Sequence, residues 1–225
     1  MLFRSEYHDV NVTGTENVLK LAKELGIKVV YASSSSVYGN PKKIPIKEDE
    51  PKNPINPYAQ TKLDDEILAT QYAENGVSVI GLRYFNVFGE RQSKEYAGVV
   101  KKFLKSIYLG NPPIIFGDGS QTRDFVYVGD VVNANILAMT SNVKYGFFNV
   151  GTNSEITILE LAKFMIKTAN LNINPIHISK LQGDIQFSLA DNSLARKLLG
   201  WEPKENIKNW LERMISNKKF DQVID

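Results

Sequence analysis

Short apolar, β-branched runs alternate with helical stretches through the first half of this 225-residue chain, and that alternation limits the fold more than any other feature. Apolar positions from Val10 through Val18, Leu19, Leu21, Ala22 and Leu25 predict a helix over Asp9–Leu25, with Gly26 where a C-terminal cap belongs. Ile27–Ala32 follows as a buried strand that runs into Ser33-Ser34-Ser35-Ser36. After a Pro-rich loop from Asn40 to Pro57 come a helix at Tyr58–Tyr72, a second buried strand at Val77–Arg83 and a third helix at Tyr96–Leu109. Such an order specifies an α/β fold with a doubly wound parallel sheet, whose ligands bind at the C-terminal ends of the strands.

Beyond Asn111 the pattern loosens. Short strands are expected near Pro113–Phe116, Phe125–Val128 and Phe147–Val150, with helices at Asp130–Thr140 and Ile158–Thr168, as in a small mixed α/β lobe. A helix at Asn192–Leu199 capped by Gly200 and another at Ile207–Ser216 close the pattern, with Trp201 and Trp210 as packing anchors. A dinucleotide-binding sheet normally opens with a strand, a Gly-rich turn and a helix that receives the pyrophosphate. None of the 15 glycines forms that fingerprint; Gly117-Asp118-Gly119 lacks the third glycine and sits late. The expectation is therefore that the first βαβ segment, the adenosine half of such a site, is missing from this chain.

Composition narrows the partner. Net charge is +2, from 27 basic and 25 acidic residues, so no basic footprint argues for nucleic acid or an anionic membrane. Lys42-Lys43, Lys47 and Lys218-Lys219 read as solvated surface charge. The absence of cysteine excludes disulfides, thiolate metal sites and a cysteine nucleophile, and two distant histidines, His8 and His177, argue against a metal centre. With no apolar run long enough to span a bilayer and no signal peptide at its start, the chain reads as cytoplasmic. A small molecule is the expected partner.

Tyr58-Ala59-Gln60-Thr61-Lys62 puts a phenol and an ammonium four residues apart on one helix face. A phenol is a poor base at neutral pH unless a nearby cation favours the phenolate, and Lys62 supplies one. Taken alone, the pair equally fits an exposed i,i+4 contact. Ser33–Ser36, about two dozen residues upstream at a strand end, could bring a hydroxyl to the same sheet edge.

Three ordered segments carry a resemblance: Val29-Val30-Tyr31-Ala32-Ser33-Ser34-Ser35-Ser36-Val37-Tyr38-Gly39, Pro57-Tyr58-Ala59-Gln60-Thr61-Lys62, and Leu82-Arg83-Tyr84-Phe85-Asn86-Val87-Phe88-Gly89. Asn11-Val12-Thr13-Gly14-Thr15, Thr122-Arg123-Asp124-Phe125-Val126-Tyr127-Val128, and Gly183-Asp184 with Ser188-Leu189-Ala190-Asp191 extend it over nearly the whole chain. Together they resemble the extended short-chain dehydrogenase/reductases of the NAD-dependent epimerase/dehydratase family, which includes UDP-glucose and UDP-N-acetylglucosamine 4-epimerases. The resemblance implies an NAD(P)-binding Rossmann-like domain over residues 1–110, a substrate lobe over 111–225 with some elements returning to the main domain, and a homodimer through the helices at 9–25 and 58–72.

Carried over position by position, the resemblance makes Tyr58 the general base, Lys62 the cation that lowers its pKa and binds the nicotinamide ribose, and Ser34 the partner of the sugar hydroxyl. Phe85 would line the nicotinamide, unless it is core. Asn86 and Arg123 would hold the sugar diphosphate, Asp184 the nucleotide ribose, and Val99 would line the substrate. Arg123 could instead form a surface pair with Asp124. Leu181 stands where the family usually carries an arginine, which leaves diphosphate affinity or nucleotide choice open. Ser188 would face the sugar's 2-substituent and leave room for an N-acetyl group, unless it is merely a small loop residue. Ser35 and Ser36 replace the acidic residues of dehydratases, and hydroxyls are poor acids and bases for eliminating water. The expected reaction is thus 4-epimerisation of a UDP-hexose or UDP-N-acetylhexosamine with bound NAD. Alternatives are another oxidoreductase, decarboxylase or dehydratase of nucleotide sugars, or a non-catalytic remnant that binds such a sugar or only dimerises.

Overall fold

The computed structural model describes residues 6–92, 98–181 and 183–217. The expected start of the third helix at Tyr96, and Lys218-Lys219, lie outside them. A π-helical stretch, His8–Thr13, leads into α1 (Gly14–Leu25), which ends at Gly26 in the left-handed conformation. The Ile27 N–H closes that cap on the Ala22 carbonyl, so β1 begins two residues later than the apolar run, at Val29–Ser34. Two of the four serines therefore belong to the strand. The other two open a 3₁₀ turn, Ser35–Tyr38.

Gly39 follows with φ 61°, and a Cβ there would sit 2.0 Å from the Asn53 carbonyl oxygen. The Pro-rich loop folds back across this point. It delivers Asn56, whose side chain accepts from the Ala59 N–H and caps α2 (Pro57–Glu74), with Pro57 at the first helical position. β2 (Val79–Tyr84) and β6 (Tyr145–Val150) complete a parallel sheet in the order β1-β2-β6. The strand expected near Phe147–Val150 thus lies in the main sheet.

Short strands build the lobe, two of them near the expected Pro113–Phe116 and Phe125–Val128 and three not expected from the sequence. β3 (Asn86–Phe88) pairs with β5 (Thr122–Tyr127), which pairs with the antiparallel β7 (Glu155–Thr157); β4 (Ile114–Phe116) pairs with β8 (Ile176–Ile178). Three-residue strands are too short for an alternation signal to stand out. Helices α3 (Val99–Tyr108), α4 (Val128–Thr140), α5 (Ile158–Thr168), α6 (Ser193–Leu199) and α7 (Ile207–Ser216) fall close to their expected spans.

Two cores meet at β5. Phe125 packs with Phe88, Phe103, Leu161, Met165 and Trp210 under the lobe, whereas Val126, on the opposite face, joins Ile80, Leu82, Phe148 and Trp201 against the main sheet. Both tryptophans are buried anchors, and each indole N–H is satisfied, Trp201 by the Asp130 carbonyl and Trp210 by Glu90. No helix of the described residues is long and apolar enough to cross a membrane.

Candidate active site

At the C-terminal end of the main sheet, Ser33, Arg83 and Asn149 stand side by side on β1, β2 and β6. This polar row is buried and fully tied. Arg83 grips Glu66 of α2 with two hydrogen bonds, 2.8 and 2.7 Å, and its other nitrogen donates to the Tyr38 hydroxyl and the Glu48 carbonyl. The Ser33 hydroxyl donates to the same Glu66 at 2.6 Å, and Tyr38 donates to Asn149 at 2.7 Å. Burial works against the Arg83 charge, but Glu66 and Tyr38 outweigh it and hold the guanidinium pKa above its ordinary value. One carboxylate thus joins the strand that carries Ser34 to the helix that carries Tyr58 and Lys62.

The three expected catalytic groups lie on the same two elements, Ser34 next to Ser33 on β1, and Tyr58 and Lys62 on the helix that carries Glu66. Ser34, half-buried at the end of β1, accepts from the Ser36 N–H at 3.2 Å. Tyr58 lies in the first turn of α2, 38% exposed, its ring edge-on to Tyr7. Lys62 is 15% exposed and donates to the Ala32 carbonyl at 3.0 Å, two residues before Ser34, and to Asp65 at 3.3 Å. α2 packs against both β1 and the 3₁₀ turn, and Lys62 reaches the strand that ends at Ser34.

Phe85 is buried, packed with Val37, Tyr38, Ile46 and Ala190, the environment of a core side chain. The remaining expected residues, apart from Val99, form a second cluster on the lobe side. Asn86 donates to the Asp124 carbonyl at 3.2 Å and to the Ser188 hydroxyl at 3.4 Å. Ser188 is buried and its N–H points to Thr122, so its side chain faces protein groups. Arg123 pairs with Asp184 at 2.5 Å and donates to the carbonyls of Thr122 and Ile185. The expected alternative partner, Asp124, is not the one it takes. Asp124 is wholly buried and accepts from Thr152 through its N–H and hydroxyl, and from the N–H groups of Asn153 and Ala190. Burial lowers the Arg123 pKa, with Asp184 opposing. Val99 opens α3, half-buried against the lobe core.

The model of the NAD dependent epimerase/dehydratase family matches residues 2–151. This chain belongs to that family. It is 38% identical to a putative UDP-glucose 4-epimerase of Methanocaldococcus jannaschii, over 92% of this chain and 68% of that protein. The UDP-N-acetylglucosamine 4-epimerase of Methanobrevibacter ruminantium M1, solved in complex with UDP-N-acetylmuramic acid, is 35% identical, with a TM-score of 0.88 over 94% of this chain and 69% of that one. The UDP-glucuronic acid 4-epimerase of Bacillus cereus, solved with UDP-glucuronic acid and NAD, is 29% identical at TM-score 0.85, over 95% of this chain and 67% of that one. The chain thus spans about two thirds of these relatives' length. The mixed α/β architecture with parallel sheets is the family's.

For the NAD of this family, the donor set at the sheet edge fits the nicotinamide ribose: an exposed phenol, and an ammonium that already donates to a carbonyl at the strand mouth. Sequence reasoning passed over Glu66, Asp65 and Asp124. Arg83, a charge inside the apolar run Val79-Ile80-Gly81-Leu82, was the available signal, because a buried guanidinium requires a buried acid.

Proposed function

We propose that this chain carries the catalytic edge and nucleotide-sugar lobe of a UDP-sugar 4-epimerase. What supports this reading is that Lys62, on the helix that carries Tyr58, donates to the strand that ends at Ser34, beside a satisfied polar row. NAD, when bound, supplies hydride acceptance and return at the sugar's C4. Tyr58, reachable from solvent, takes the proton of the 4-hydroxyl and later restores it. Ser34, at the strand end, hydrogen-bonds that oxygen, and Lys62 keeps positive charge beside both the phenol and the ribose hydroxyls.

Arg123 supports a diphosphate role because a guanidinium fork matches phosphate oxygens. Its present bond to Asp184 means that a diphosphate takes over, or shares, a position the carboxylate now occupies. Exposed Val18, Leu21 and Leu25 on α1 and Ile67 on α2 support pairing of two copies through these helices, which sedimentation tests.

The deciding assay incubates the chain with NAD and, separately, UDP-galactose and UDP-N-acetylglucosamine, and reads products by proton NMR. The C4 epimer is expected, and its formation should disappear in Tyr58→Phe. A dehydrated product, or equal turnover by Tyr58→Phe, would overturn the reading.

A further inference from the structure

Asp65 is a carboxylate that the proposed chemistry does not use. Its side chain is 0% exposed, on the inner side of α2 one turn after Lys62. Oδ2 lies 3.3 Å from the Lys62 ammonium, while Oδ1 is buried without any hydrogen-bond partner. A buried acceptor left half-satisfied is costly, and such a group calls for an explanation.

The neighbours narrow it. From α1 the Thr15 hydroxyl faces the carboxylate; from β1 comes the Tyr31 phenol, also buried and unpartnered; Asp64 and Lys62 flank it on its own helix, and Glu66 with Arg83 lies beyond Tyr31. Lys62 is the cation bonded to Asp65, and Arg83 is committed to Glu66. Burial pushes the Asp65 carboxyl above its ordinary range, and Lys62 is the largest influence opposing that.

We propose that Asp65 is a positioning residue for Lys62, anchoring the ammonium between its own carboxylate and the Ala32 carbonyl at the mouth of β1. The flexible lysine stem would otherwise sample many rotamers. Held at two points, the ammonium stays at the strand end beside Ser34 and presents its charge from a fixed place. Asp65 itself touches neither sugar nor cofactor. The inference rests on the reading of Tyr58 and Lys62 given above for its purpose, though its test does not depend on turnover.

The experiment follows the side-chain ammonium signals of the cofactor-free, ¹⁵N-labelled chain, assigned with Lys62→Arg. Lys28 is the internal control, because its ammonium is held by the Ala138 and Ser141 carbonyls without a carboxylate. In Asp65→Asn the Lys62 signal should broaden or vanish through exchange while that of Lys28 persists. Should that variant not fold, the wild-type chain is titrated downward in pH. The Lys62 signal should then be lost as Asp65 protonates, above the ordinary carboxylate range, again with Lys28 unaffected. A Lys62 signal indifferent to both changes overturns the proposal, whereas a turnover assay that fails with the Lys62 signal as expected overturns only the epimerase reading.

Discussion

The catalytic edge and the lobe cluster each stand on one buried carboxylate, and the two are neutralised differently. Glu66, beneath Ser34 and Tyr58, meets a guanidinium in a two-point ion pair and takes a third bond from Ser33. Asp124, beneath Asn86 and Ser188, has no cation among its hydrogen-bond partners and is satisfied by three backbone N–H groups and one hydroxyl. The layers above also differ. Among the described residues no hydrogen bond joins Ser34, Tyr58 and Lys62 to one another, whereas in the lobe Asn86 bonds to Ser188 and Arg123 to Asp184. A lobe that grips an anion can keep its arginine paired with a carboxylate until the ligand replaces it.

Substitutions separate the two regions, starting with the largest expected effect. Tyr58→Phe should lower turnover by roughly a hundred- to ten-thousand-fold, the range for a lost general base, with the melting temperature unchanged because the ring is exposed. Glu66→Ala, by contrast, should cost about 3–5 kcal/mol of stability in a denaturant melt, since Arg83 is left buried and unpaired. The double change Glu66→Leu with Arg83→Met should cost clearly less than Glu66→Ala. If it costs as much, the pair's charge balance is not what matters there.

Asp124→Asn keeps shape but turns an amide toward N–H donors. It should cost about 1–3 kcal/mol for each donor left unsatisfied, less in total than Glu66→Ala, and should loosen the lobe while Ser34 and Tyr58 keep their positions in amide spectra. A loss as large as that of Glu66→Ala would erase the distinction drawn between the two supports.

The smallest effect concerns Lys52, which lies over the Tyr38 ring and donates to the Glu48 and Glu50 carbonyls. Burial, then the nearby Arg83 charge, pushes its pKa down from 10.5 to about 8. Between those values the unfolded chain binds the extra proton, so stability rises with pH across that window. Measured against Lys52→Met, the wild-type chain should gain stability from pH about 8 toward 10.5 and show a flat difference below. A difference independent of pH would remove Lys52 from the support of the catalytic edge.

Much of the architecture was legible because its signals are local. Helices with caps at Gly26 and Gly200, and apolar strands of six residues, announce themselves through periodicity and turn chemistry, whereas the Asn56 cap of α2 emerged only with the structure. β3, β7 and β8 are three-residue strands; β3 and β7 place Phe88 and Ile156 in the core shared with α3, α5 and α7, whereas β8 is exposed and defined by its pairing with β4. At the site, Ser34, Tyr58 and Lys62 could be named from spacing and resemblance. Glu66 and Asp65 could not, because an acid on a helix looks solvated until the partner strand is known. The alternative reading of Arg123 paired it with its sequence neighbour Asp124, yet successive β5 side chains face opposite sides, and its partner Asp184 comes from a segment about sixty residues away.

Whether the two regions serve one ligand is tested most directly by calorimetric titration of UDP-glucose, with NAD present, into the wild-type chain, Tyr58→Phe and Arg123→Ala. The account predicts similar affinity for the first two and binding at least about tenfold weaker for Arg123→Ala, the loss of a charge-assisted bond to phosphate. Equal binding by all three folded proteins, or none by any of them, would contradict it.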